Sequence, residues 1–159
     1  MGAIMKSSMS LKLKVSLALY IIFIVFSLGF SFAYLIRAEF MPYHAAAIGM
    51  NWSELDPAFK DLILGLMKAT GAGWLSAVIA MSILLVIPFR NGETWSYWAI
   101  PLIPLPALLV NIYVATNMLL HSPAKPPWQV LVLNTALLLL AFVLSMTART
   151  NVNVSTEEK

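Results

Sequence analysis

Four long apolar runs, each free of Asp, Glu, Lys and Arg, constrain this chain more than any other feature: residues 15–36, 69–88, 97–120 and 128–147. A helix rises about 1.5 Å per residue, so about 20 residues cross the roughly 30 Å hydrocarbon slab of a bilayer. An ionised side chain at a helix centre costs about 2.5–3.5 kcal/mol on insertion scales. All ten Lys and Arg and all seven Asp and Glu lie outside the four runs. With 60% hydrophobic residues, 11% charged residues and a mean hydropathy of +0.84, the chain falls outside the composition of soluble domains. Its fold class is therefore an all-α integral membrane protein, a four-helix transmembrane bundle.

The charge pattern narrows the partners. A net charge of +3 invites a nucleic-acid reading, but the Lys and Arg are scattered singly without a basic stripe, so the partner is the lipid bilayer and not nucleic acid. Cysteine is absent, which removes disulfides, thiolate metal sites and cysteine nucleophiles. Ser31-Phe32-Ala33 has the small-x-small form of a signal cleavage site. The first run is nonetheless longer than a signal h-region of about 7–15 residues, which favours an uncleaved span.

Lys6, Lys12 and Lys14 precede the first span, and short loops rich in Lys and Arg stay in the cytoplasm. That orientation keeps Arg90, Arg149 and Lys159 inside and puts Arg37, Lys60, Lys68 and Lys125 outside. Residues 1–14 are then a cytoplasmic segment, residues 15–147 the membrane domain, and the polar residues 148–159 a disordered cytoplasmic tail. The expected location is a cell membrane, the bacterial cytoplasmic membrane, with both termini inside.

The outer loop, residues 37–68, is too long to be a simple turn. Pro42 at a first helical position and Gly49 at a stop predict a short interfacial helix through Tyr43 and His44. Ser53, Glu54 and Asp56 then offer caps, and Pro57 starts the helix that becomes the second span.

Lipid supplies no hydrophobic drive between helices, so close packing needs small residues. Gly65, Ala69, Gly73 and Ala77 follow at intervals of four, beside Ala72, Ser76 and Ala80, and predict the packing face of the second span. Pro101, Pro104 and Pro106 each remove a backbone donor and predict a bend in the third. Asn111, Thr116 and Asn117, with Gln129, Asn134 and Thr135 in the fourth, read as interhelical hydrogen-bonding groups. Trp74, Trp95, Trp98 and Trp128 read as an aromatic belt.

The candidate ligand-binding residues gather on the outer side. Tyr34, Arg37, Glu39, Tyr43 and His44 cluster at and after the first span, Lys68 sits at the mouth of the second, and Tyr113, Asn117 and His121 share a helical face. Tyr43, His44, Lys68, Asn117 and His121 together predict a pocket for a quinone or lipid headgroup, which needs an apolar cleft and one or two donors. Lys68 also reads as a side chain snorkelling to the headgroups. Glu39, His44 and His121 lack the spacing of a metal motif, and nothing promises His44 facing His121 across a haem iron. No metal or obligatory cofactor is expected; a quinone is compatible.

The four spans, the long first loop carrying Phe40-Met41-Pro42-Tyr43-His44, and the glycine-containing second span resemble the DoxX-like superfamily of small bacterial membrane proteins. The likeness lies in arrangement, over residues 12–147, and implies a bacterial membrane and a quinone-like ligand. It assigns no catalytic residue.

Three functions compete. The first is a non-catalytic module binding a lipid, a quinone or a membrane partner, or pairing with its own copy. The second is an oligomeric small-molecule transporter, against which stands the lack of any carboxylate within the spans. The third is a membrane enzyme working at the outer headgroup level through His44, His121 and Glu39.

Overall fold

The computed structural model describes residues 9–157, with side chains through residue 148. Its elements run α1 (Leu11–Ile36), α2 (Pro42–Ile48), a 3-10 turn (Trp52–Glu54), α3 (Pro57–Leu84), a π-turn (Leu85–Phe89), α4 (Ser96–Leu102), α5 (Leu105–His121) and α6 (Trp128–Glu157). Among the described residues four stretches are long and apolar enough to span a membrane: Leu11–Ile36, Pro57–Phe89, Ser96–His121 and Trp128–Ala148. The chain is a small polytopic membrane protein of all-α fold.

Local chemistry accounts for most boundaries. Ser10 caps α1, its Oγ accepting from the Leu13 N–H at 3.4 Å, so the helix starts four residues ahead of the expected Val15. Pro42 occupies the first turn of α2, and Gly49 ends it in the left-handed conformation at φ +68°, its N–H donating to the Ala45 carbonyl at 2.9 Å. Asp56 caps α3 through Oδ1, which accepts from Ala58 N–H at 2.8 Å. Pro88 cannot donate to the preceding turn, and the last turn of the second span widens into a π-turn that closes at Gly92, φ +77°.

Prolines divide the third span as expected. Pro104 has no N–H for the Ile100 carbonyl, and the helix breaks at Ile103 and Pro104 before regular bonding resumes with Leu108 N–H to the Pro104 carbonyl at 2.9 Å. The tail departs from expectation: α6 continues unbroken to Glu157 instead of giving way to disorder at residue 148. No Gly or Pro interrupts residues 128–157, and extending an existing helix is cheap compared with nucleating one. Lys6 lies outside the described residues.

The packing is organised by α1, which lies against both α3 and α6. Its buried stripe is Ser16, Tyr20, Phe23, Ser27 and Ser31. The serines let neighbouring backbones approach closely. Ser16 Oγ donates to the Ala141 carbonyl at 2.6 Å, and Ser31 Oγ donates to the Gly71 carbonyl at 2.7 Å.

This corrects the expected packing row. Gly65, Ala69 and Gly73 are exposed and Ala77 is half-buried; a Cβ added at Gly65 or Gly73 would meet nothing within 4 Å. The glycine in close contact is Gly71, where an added Cβ would sit 2.8 Å from the Ser31 carbonyl oxygen and 2.9 Å from Leu35 Cγ. The face of α3 turned inward is Met67, Gly71, Trp74, Val78 and Met81. Trp74 is accordingly a core residue rather than part of the belt, whereas Trp95, Trp98 and Trp128 are about half exposed.

The core is concentrated toward one end. Tyr20, Phe23, Met81, Leu85, Phe89, Tyr97, Ile100 and Leu138 are buried together, with the Tyr20 and Phe89 rings edge to face at 6.0 Å and Phe89 and Tyr97 at 5.2 Å. Toward the end that carries α2, α5 leans chiefly on α6 and α4 and buries only Leu108 among its side chains.

Candidate functional site

Where α5 stands away from α1, the gap is a cavity of about 140 Å³. Phe26, Ser27, Phe30 and Tyr34 line it from α1, Trp74 from α3, Leu108, Asn111, Ala115 and Met118 from α5, and Val130, Leu131 and Asn134 from α6. Tyr43 and His44 of α2, with Pro126 and Pro127 of the α5–α6 connection, close the end. Apolar walls dominate, no lining side chain carries a formal charge, and the polar ones are Ser27, Tyr34, Tyr43, His44, Asn111 and Asn134, with the indole N–H of Trp74.

Helix α2 delivers two of these groups because Pro42 and Gly49 fix where it starts and stops. The Tyr34 and Tyr43 hydroxyls hydrogen-bond each other, joining α1 to α2. His44 packs edge to face on Tyr43 at 4.4 Å and on Tyr34 at 6.5 Å. Its Nδ1 accepts from the Met41 N–H at 3.3 Å, which places the imidazole proton on Nε2. Loss of solvent pushes the His44 pKa below the usual histidine value, so the ring is neutral at pH 7. Loss of solvent also raises the Tyr43 pKa, and the hydrogen bond with Tyr34 raises it further, so the hydroxyl keeps its proton. The end of the cavity therefore presents neutral donors.

Deeper in the bundle, Asn134 on α6 donates from Nδ2 to Ser27 Oγ on α1 at 3.3 Å. The amide oxygen, Asn134 Oδ1, is buried and has no hydrogen-bond partner among the described residues. A buried acceptor left without a donor is costly, and hydrocarbon offers no water to satisfy it.

Of the five residues expected to form the site, Tyr43 and His44 line the cavity, while Lys68, Asn117 and His121 do not. Lys68 is exposed on α3, and Asn117 and His121 are exposed on α5, where His121 Nδ1 lies 3.0 Å from the Asn117 carbonyl oxygen. Tyr113, Asn117 and His121 do share a face, but α5 turns the row of Leu108, Asn111, Ala115 and Met118 toward the cavity instead. Spacing says which residues share a face and not which way it points. Among the described residues no three His, Asp or Glu side chains converge, and Glu39 and His121 do not join His44 at the cavity.

Asn134 makes the interhelical hydrogen bond expected of it, and Ser27 is the lining residue that sequence reasoning passed over. A signal was present: Ser16, Ser27 and Ser31 are spaced by 11 and 4 residues, close to whole helical turns, and mark one face of the first span. No family model, curated protein or solved structure matches the chain.

Proposed function

We propose that this protein is a non-catalytic membrane module that binds the headgroup of an amphipathic ligand, of quinone or lipid type, in the cavity between α1, α5 and α6. The observation that carries this is a void of about 140 Å³ with aromatic and aliphatic walls and uncharged polar groups at both ends. A dry cavity of about 150 Å³ lined by apolar side chains accommodates benzene, so the size suits one six-membered ring while a tail remains in lipid. No Asp, Glu, Lys or Arg lines the cavity, which favours a neutral group held by hydrogen bonds over coupled transport of an ion.

The lysines ahead of the first span support an orientation with both termini in the cytoplasm and the α2 end outside. The layout resemblance to the DoxX-like superfamily points toward a bacterial cytoplasmic membrane in the same reading. Native mass spectrometry of protein released from lipid nanodiscs tests the binding: a retained small lipid or quinone mass is expected for wild type. Filling the void with Ala115→Trp is expected to reduce that retention about tenfold or more. Equal retention by both forms would show that the ligand lies elsewhere.

A further inference from the structure

We infer that the cavity selects a flat, unsaturated ring over a saturated ring or an acyl chain, so that its ligand is a membrane-dissolved molecule whose buried end is a π system. This rests on the cavity being the binding site. The lining divides by origin. Its aromatic side chains are Phe26, Phe30 and Tyr34 of α1, Tyr43 and His44 of α2, and Trp74 of α3, whereas the lining residues of α5, α6 and their connection include no aromatic ring. Five of these rings form a continuous series. Between centroids, Trp74 meets Phe30 at 5.9 Å, Phe30 meets Tyr34 at 4.3 Å, Tyr34 meets His44 at 6.5 Å and His44 meets Tyr43 at 4.4 Å. Aromatic pairs are favourable edge to face or offset, so a π ring in the void gains from these side chains whether it meets their edges or their faces. A saturated ring has no quadrupole and gains nothing of the kind.

The bilayer makes that difference decisive. In water, any apolar group would gain by entering such a void. In a membrane the lipid tails are as apolar as leucine, so burial alone gives a saturated ring or an acyl chain no reason to leave the hydrocarbon. Contacts beyond burial set the preference, and the lining supplies two kinds, hydrogen bonds and ring pairing. The second requires a π ring, and a volume of about 140 Å³ admits one. The same rings would attract a quaternary ammonium by cation–π contact. No Asp or Glu lines the cavity, however, and burying a cation without a counter-charge is costly, which favours the neutral ring.

The test uses tritiated hexylbenzene and hexylcyclohexane, which share a tail, are close in size and lack any polar group. Each is equilibrated between empty nanodiscs and tagged nanodiscs holding the protein, and the excess per protein over lipid gives its affinity. Wild type is expected to bind hexylbenzene about three- to tenfold tighter, the size of one aromatic pairing. Phe30→Leu, in the middle of the series, keeps the wall apolar and should narrow the ratio to about twofold or less. Equal affinities in wild type, or tighter hexylcyclohexane, would overturn the inference and leave the cavity as a binding site if Ala115→Trp removes both excesses. An unchanged ratio in folded Phe30→Leu would also overturn it, and hexyltrimethylammonium binding tighter than hexylbenzene would replace the neutral ring with a cation. If neither probe exceeds lipid, or if Ala115→Trp binds both as wild type does, the cavity reading fails as well. The wild-type comparison stands even if a variant fails to fold.

Discussion

Around Tyr20, Phe23 and Phe89 the helices close until almost none of these side chains is left exposed, whereas around Phe26, Phe30 and Tyr34, on the same α1, they part and leave a cavity. The two regions share an apolar vocabulary. What separates them is what else closes on α1: α3 and α6 flank it, Phe89 of the π-turn packs on Tyr20 at the closed end, and at the other end a loosely held α5 beyond the proline break stands off. Tight packing and open volume are therefore concentrated at opposite ends of the bundle.

The sharpest way to break this comparison is a pair of truncations on α1. Phe23→Ala, at a fully buried position, is expected to lower stability by about 3–5 kcal/mol, as large-to-small changes in packed cores do. Phe26→Ala, at a cavity wall that is 46% exposed, should cost about 1 kcal/mol or less. Thermal midpoints in detergent compare them, and equal losses would mean that the cavity end is packed as tightly as the core.

A second pair sharpens the boundary on α3. Gly71→Ala forces a methyl against the Ser31 carbonyl and should destabilise by about 1–3 kcal/mol. Gly73→Ala meets open space and should gain up to about 1 kcal/mol from helix propensity. The opposite signs, read in the same melting experiment, distinguish the face in contact with α1 from the face turned outward; a loss at Gly73 as large as at Gly71 would reverse that assignment.

The smallest effect concerns pH. The folded-state pKa of His44 is lowered, so as pH falls the unfolded chain takes up the proton first and stability declines from about pH 6.5 downward, the ordinary histidine value. Above that value His44 contributes no slope. His44→Gln should remove this part of the acid sensitivity and leave the neutral-pH midpoint little changed. An unchanged acid profile in the variant would show that the ring is as well solvated as a free histidine.

Legibility from sequence followed the range of the forces involved. The ends of α2 and the start of α3 were readable because Pro42, Gly49, Asp56 and Pro57 act on their own backbone within one turn. The inward face of α3 was not. Gly71 and Gly73 lie about 200° apart around the helix, and in lipid an outward face is as apolar and as tolerant of small residues as an inward one. The candidate site divided in the same way. Tyr43 and His44 reach the cavity from a short capped helix whose ends are fixed locally, while the rotation of α5, which turns Asn111 in and Asn117 out, depends on packing with distant segments. Asn134 and Ser27 lie 107 residues apart, and a pairing over that separation leaves no trace in local spacing.

The hydrogen bond from Ser16 to the Ala141 carbonyl spans 125 residues and ties the first helix to the last. A ribosome making this chain releases α1 and α3 long before α6 exists, so their hairpin, fastened by Ser31 and Gly71, can form during synthesis while the other flank of α1 waits. During that interval Ser16 and Ser27 face lipid or the insertion machinery with only their own helix to bond to. The final span is thus the closing piece of assembly. A chain interrupted between α5 and α6 would leave Ser16 and Ser27 without the partners that α6 supplies.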